Sequence, residues 1–343
     1  MNNYFCVLPF FSYEGSLQST ENIYCCRLQA GTNIDDVQSS IRNKERSPAC
    51  VTCWKLEDQG LDSERKIHNQ TFDYYADRDL ELLEQDAIAN GFTPKIIKLT
   101  TSNLCNATCI TCGASHSTAW AKLENRAIKY AVADTSAINF KNIVQLSFVG
   151  GEPLLEKRNF AILEELISLG NTNCFVSIVT NGSIELSQRQ LTALSQFKNL
   201  NICLSIDGVG DQFNYIRWPL KWNQLQYNLI QFKQMTQHIS VSCMISNLNI
   251  MYYTDLVDFF ESNQLKYICK QIVDPAHFAP GNLSDEFKQQ VLKNNKKYHK
   301  EVSAFLSYGG GLLEKFWEEI DRQDQLKGTN IKDYLPELAA TRI

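Results

Sequence analysis

The chain has 343 residues, 44% hydrophobic and 21% charged, with a net charge of −5, which is enough apolar content for a full core, most simply one large domain with appendages. The acidic balance gives no reason to expect nucleic-acid binding, no run of eighteen apolar residues could span a membrane, and the start Met1-Asn2-Asn3-Tyr4-Phe5 lacks the basic head and apolar stretch of a secretory leader, so a soluble, cytoplasmic protein is expected. Twelve cysteines without such a leader argue against a disulfide framework and toward metal ligation or buried thiols in a reducing compartment.

The first seventy residues carry Cys6, the adjacent pair Cys25 and Cys26, and Cys50-Val51-Thr52-Cys53 before Trp54. Four of these five thiols can ligate one centre. Successive side chains of an extended chain point to opposite sides, so Cys25 and Cys26 are alternatives rather than co-ligands. Spacing alone permits either an iron–sulfur cluster or a four-thiolate zinc knuckle. Residues 73–90 then read as an amphipathic helix (Leu80, Leu82, Leu83, Ala87, Ile88) stopped by Asn90-Gly91.

From Lys95 to about Asp274, strand-like runs alternate with helical patterns, which predicts an α/β parallel barrel; six strands would leave it incomplete and open on one side. The first run leads through Thr101-Ser102-Asn103-Leu104 to Cys105, Cys109 and Cys112, three thiols on one tight loop. Three such ligands suit a cubane cluster whose fourth iron stays open. Structural zinc would want a fourth ligand, for which His116 is the nearby residue, and unligated structural cysteines are the third possibility. The next run, Ile143 to Val149, ends in Gly150-Gly151-Glu152-Pro153 and opens into a helix marked by Phe160, Leu163, Leu166 and Ile167. Two glycines can expose backbone to a close ligand, and Glu152 can accept from an ammonium group; a plain turn with a solvated glutamate is the alternative.

Three later runs also end in small polar residues: Ser177 to Gly182, Ile202 to Gly208, and Val241 to Asn247. Ligands sit at the carboxyl ends of barrel strands, so Thr180, Asn181, Ser205 and Asp207 should face one pocket. Cys174, Cys203, Cys243 and Cys269 read as packing thiols. Residues 284–306 and 311–324 read as helices that pack on the barrel wall or partly close its mouth. His277, just after the last strand, reads as solvated or structural, as does His116.

Together, Cys105-x3-Cys109-x2-Cys112 and Gly150-Gly151-Glu152-Pro153 resemble the radical SAM superfamily over roughly residues 95–275. The resemblance implies a partial (β/α)6 TIM-like barrel in which Cys105, Cys109 and Cys112 hold a [4Fe–4S] cluster and S-adenosylmethionine chelates its open iron. By the same resemblance, Gly150, Gly151 and Glu152 bind the methionine amino group; Asn181, Ser205 and Asp207 can bond ribose hydroxyls, Thr180 is counted with them among the cofactor-binding residues, and Met244 and Ile245 are placed either by the adenine or simply in the core. Arg217, within Asn214-Tyr215-Ile216-Arg217-Trp218-Pro219, resembles the arginine that pairs with the cofactor carboxylate. Thr111 stands where the superfamily usually has an aromatic residue, which reduces the expected adenine contact.

Around the early cysteines, Phe5 to Phe10 and Cys53 to Gly60 resemble the SPASM-like auxiliary-cluster module called a twitch domain, here placed before the barrel. This implies a second [4Fe–4S] cluster on Cys6, Cys25 or Cys26, Cys50 and Cys53. The implied organisation is a module at 1–72, a linker helix at 73–94, the barrel at 95–275 and a helical extension at 276–343. The implied reaction begins with an electron from a flavodoxin- or ferredoxin-like reductant and cleavage of S-adenosylmethionine to a 5′-deoxyadenosyl radical, which takes hydrogen from a substrate C–H bond. A ribosomally made peptide, crosslinked or epimerised, is the first expected substrate, and a small metabolite (sugar, nucleoside or amino acid) the second. A noncatalytic metal-binding interaction module is a third reading, and no nucleic-acid or membrane partner is expected.

Overall fold

Short runs rich in isoleucine, valine, leucine and phenylalanine become seven strands: β1 (Ser12–Gly15), β2 (Ile96–Thr100), β3 (Gln145–Val149), β4 (Phe175–Thr180), β5 (Asn199–Ser205), β6 (His238–Ile245) and β7 (Lys266–Gln271). The computed structural model describes residues 4–15, 24, 25, 28, 31–58, 60, 62–76, 80–90, 93–127, 135 and 138–342. All neighbouring strands run parallel, in the order β1 to β7. Sequential order with parallel pairing is the pattern of a barrel wall, and among the described residues β1 and β7 do not pair, so the barrel stays incomplete.

Among the described residues the α-helices are α1 (Leu8–Phe11), α2 (Ile34–Arg42), α3 (Val51–Asp58), α4 (Glu64–Ala76), α5 (Leu80–Asn90), α6 (Thr118–Leu123), α7 (Lys157–Ser168), α8 (Gln188–Leu194), α9 (Asp211–Ile216), α10 (Trp222–Met235), α11 (Tyr253–Ser262), α12 (Asp285–Asn294), α13 (His299–Leu306), α14 (Leu313–Lys327) and α15 (Pro336–Ala339). Local chemistry sets several of their ends. Ser187 and Gln190 form a reciprocal capping box at α8, Ser284 caps α12, and Gly328 closes α14 in the left-handed conformation at φ 67°.

The central strands β4, β5 and β6 bury alternate residues, as β4 does with Val176, Ile178 and Thr180. These side chains meet the helices in one large core. A smaller core gathers Phe5, Val7, Leu8, Phe10 and Phe11 with Val37, Ile41, Ala87 and Ile96, the first residue of β2.

Two expectations need correction. The sheet has a seventh strand, because β1 comes from the cysteine-bearing N-terminal segment and pairs Ser12 through Gly15 with Ile96 through Leu99. Ser-Tyr-Glu-Gly is too short and too polar to show a strand period. The helical stretch at 73–90 belongs to two elements, α4 and α5; Ala87 is buried, but Leu82 and Ile88 are exposed, so the apolar stripe is only partly covered. The side chains of Leu80 and Leu83 lie outside the described residues. No helix among the described residues is long and apolar enough to cross a membrane.

Candidate functional site

At the carboxyl ends of β2 to β5 one cavity of about 190 Å³ is lined by Cys105, Cys109 and Cys112 together with Gly150, Gly151, Asn181, Ser205 and Arg217; Thr111, His116 and Val179 complete most of its wall. The three thiols sit on the loop after β2, which the rest of the chain holds by its backbone. Thr108 N and Ile110 N donate to the carbonyls of Trp218 (2.7 Å) and Ile216 (2.8 Å), which ties the cysteine loop to the residues flanking Arg217. Ser117 Oγ donates to Ala107 O (2.7 Å), and Trp120 Nε1 donates to Cys109 O (2.9 Å). A loop fastened at so many carbonyls presents its three sulfurs in a fixed arrangement.

Burial, followed by the neighbouring Cys109, pushes the thiols of Cys105 and Cys112 up to about 11 and about 12, and burial also raises Cys109. A bound cation reverses that preference, because coordination deprotonates a thiol outright.

The two glycines after β3 line the cavity and also meet a backbone packing need. A Cβ on Gly151 would stand 2.2 Å from Leu104 O, and one on Gly150, at φ +115°, would stand 2.7 Å from Ser102 O. Gly151 N donates to Ser102 O (3.1 Å) and Glu152 N to Leu104 O (2.7 Å). The glycines therefore let the β3 turn lie directly against the strand that launches the cysteine loop. Glu152 is buried and its carboxylate accepts from Thr180 Oγ1 (2.7 Å), Leu154 N (3.0 Å) and Asn181 N (2.7 Å). Burial raises its pKa despite these three donors. It locks the β3 and β4 turns together.

Arg217 enters the wall from the segment after α9. Its Nη2 pairs with Asp207 Oδ2 at 2.5 Å, its Nη1 lies 3.9 Å from Cys109 Sγ, and its buried Nε has no hydrogen-bond partner. Burial opposes its charge, but Asp207 and then Cys109 hold the guanidinium firmly protonated. The other Asp207 oxygen accepts from Met244 N (2.8 Å), so this carboxylate orients the arginine.

The structure thus brings Cys105, Cys109, Cys112, Gly150, Gly151, Asn181, Ser205 and Arg217 into one wall. Glu152, Thr180 and Asp207 are buried and bonded to their neighbours, and Ile245 is fully buried within the main core. Sequence reasoning missed Trp120 and Gln323, whose contacts with Cys109 O and Ile110 O (2.8 Å) come from elements 11 and 213 positions away. His277 is buried beside Phe278, with ring centroids 4.4 Å apart.

A second cavity is lined by Cys6, Cys25, Cys50 and Cys53, with Tyr4, Trp54 and Arg65 among its neighbours. Cys26 lies outside the described residues. Trp54 is held between Arg46 (5.2 Å) and Arg65 (4.7 Å), and Arg65 Nη1 donates to Phe5 O (2.8 Å). Burial pushes the Cys6 thiol up to about 12. Among the described residues no group of three or more His, Cys, Asp or Glu side chains is placed to hold a single metal ion; both cysteine sets surround a space.

No family model matches the chain. It is 24% identical over 265 residues to uncharacterized protein MJ0907 of Methanocaldococcus jannaschii, covering 70% of this chain and 88% of that one. Among solved structures it is similar to anSMEcpe with bound AdoMet, with 18% identity, a TM-score of 0.46 and 66% of each chain covered. It is also similar to Streptococcus suis SuiB bound to precursor peptide SuiA, with 13% identity, a TM-score of 0.43, and 91% of this chain and 73% of that one covered. The chain therefore spans about two thirds of the anSMEcpe chain.

Proposed function

We propose that the protein is a radical SAM enzyme, with a [4Fe–4S] cluster on Cys105, Cys109 and Cys112 and S-adenosylmethionine at its open iron. The observation that carries this reading is the convergence of the three-thiol loop, Gly150-Gly151 and Arg217 on one cavity. The donor set fits: three cysteines and a buried guanidinium nitrogen without a partner suit a cluster plus a carboxylate-bearing cofactor. When bound, this pair supplies a 5′-deoxyadenosyl radical that abstracts hydrogen from a substrate C–H bond. The chain's own part is positional: Arg217, aligned by Asp207, binds the cofactor carboxylate, Asn181 and Ser205 offer hydrogen bonds, and the strand ends exclude water.

In this proposal Cys6, Cys25, Cys50 and Cys53 hold an auxiliary [4Fe–4S] cluster in a twitch-like module of residues 1–72, with 73–94 as linker, 95–275 as barrel and 276–343 as extension. Their convergence on one cavity supports the ligand set. The electron donor is a flavodoxin- or ferredoxin-like protein. The substrate is a peptide, and two features support a large polar one: among the described residues the sheet stays open between β1 and β7, and the strand face that carries Val179 and Ser205 continues into hydrogen-bonded polar residues, with Ser240 Oγ donating to Asn201 Oδ1 (3.1 Å) and Asn201 Nδ2 to Ser177 Oγ (3.0 Å). A small polar metabolite suits the same face.

The test is anaerobic purification, quantification of iron, sulfide and zinc, and an assay of 5′-deoxyadenosine with reductant and S-adenosylmethionine. About eight irons per chain, with cleavage lost in a Cys105→Ala/Cys109→Ala/Cys112→Ala variant, is the expected result. About four irons plus zinc would make the N-terminal site a zinc centre. Reconstituted protein without iron at the Cys105 loop and without cleavage would overturn the proposal and leave a metal-binding module.

A further inference from the structure

The cysteine loop is clamped from behind by the last turn of α14. Gln323 Nε2 donates to Ile110 O (2.8 Å), and Lys327 Nζ donates to Gln323 Oε1 (2.7 Å). The same ammonium stands 4.7 Å from the centroid of the Trp120 ring, whose Nε1 holds Cys109 O. Asp324, on the same turn, accepts from Tyr215 OH (3.1 Å), so α14 also grips the helix that leads to Arg217. Lys327 is only 8% exposed, and among the described residues it forms no ion pair.

A buried ammonium without a carboxylate partner is costly, and chains seldom keep one without a use for it. Burial pushes Lys327 down to about 8, and Cys109 is the foremost group working in the opposite direction. The nearby carboxylates of Asp324 and Glu319, the carbonyl end of α14 and the Trp120 face favour the cation too, but Glu319 is already paired with Arg322 and Asp324 accepts from Tyr215 and Thr329.

We propose that Lys327 is a positioning residue for charge: it holds a fixed cation behind Cys109 so that the centre on Cys105, Cys109 and Cys112 accepts an electron more readily. This rests on the cluster proposed above. Adding an electron to a cluster held by thiolates adds negative charge, and a cation fixed in a low-dielectric wall favours the reduced state. Lys327 touches neither cofactor nor substrate in this account, because Trp120 and Gln323 stand between it and the cysteine loop.

The experiment is a potentiometric titration of the anaerobic protein with dithionite and mediators, followed by the EPR signal of the reduced cluster. The signal is assigned by its disappearance in the Cys105→Ala/Cys109→Ala/Cys112→Ala variant. Lys327→Met and Lys327→Gln should move the midpoint to a more negative potential at unchanged iron content, while Lys327→Arg should keep the parent midpoint. Parent midpoints in both neutral variants, with iron retained, would overturn the inference. So would loss of soluble protein in both neutral variants and in Lys327→Arg, which would assign the lysine to packing. Absence of iron at the loop in the parent is read before any variant is made and would defeat the cluster reading itself.

Discussion

Replacement of Gly151 has a sharply defined consequence, because its neighbour is backbone that cannot swing aside. Gly151→Ala sets a methyl group against Leu104 O; we expect a cost of about 1–3 kcal/mol and, through displacement of the loop, loss of most iron at the three-cysteine site. Thermal unfolding and iron per chain check the two halves separately. His277 gives a pH signature instead. Burial lowers its pKa below the ordinary 6.5, so the unfolded chain takes up the proton first. Its contribution is complete above that value and is lost as pH falls below it, by up to ~1.4 kcal/mol per pH unit. His277→Asn should flatten this part of a stability profile measured from pH 8 to pH 5; an unchanged slope would assign the effect to other groups such as His68, which burial lowers too. At this scale the sequence showed which residues to gather: the three thiols and the glycine pair are legible as spacing and strand ends, whereas Arg217, which follows α9, is legible only through the family resemblance. It could not show the close approach that both glycines allow, since the clash is with a segment nearly fifty positions earlier, nor that Asp207 pairs with Arg217.

Elements were legible in proportion to their length and period. The strands from β3 to β6 announce themselves by runs ending in small polar residues, whereas β7 (Lys-Tyr-Ile-Cys-Lys-Gln) has no such run; helical spacing marks α14, and the stretch 284–306 that reads as one helix divides at Asn295 into α12 and α13. β1 is silent because four residues of mixed polarity gain their strand form from β2 rather than from themselves. The joints between elements are equally hidden, since they consist of single polar side chains meeting distant carbonyls. Asn295, just beyond α12, donates to Ile250 O (3.2 Å), Met251 O (3.0 Å) and Val291 O (2.8 Å), and accepts from Thr254 N (2.8 Å) and Thr254 Oγ1 (2.9 Å). Asn295→Leu would strand those buried groups at the start of α11. We expect roughly 2–4 kcal/mol lower stability with the cysteine loop unaffected, so denaturant midpoint should fall while iron content stays at the parent level.

Over the whole molecule the two cysteine sites lie at opposite ends of one sheet. Cys6 precedes β1 and packs in the small core with Ile96 at the start of β2, whereas Cys105 follows the end of β2. The sites should therefore load independently. A Cys6→Ala/Cys50→Ala/Cys53→Ala variant is expected to lose roughly half of the bound iron if both sites hold four-iron clusters, and to keep the iron of the Cys105 loop; loss of all iron from soluble variant protein would count against two separate centres. The pairing of β1 with β2 also joins residues 84 positions apart, as Lys98 and Glu14 do on adjacent strands. On a growing chain the first strand must wait for the second, roughly 4–17 s at about 5–20 residues per second. Until Ile96 leaves the ribosome, the core around Phe5 and Phe11 has no strand to close against, and the early cysteines meet the cell's thiols, oxidants and metals before they meet their own fold.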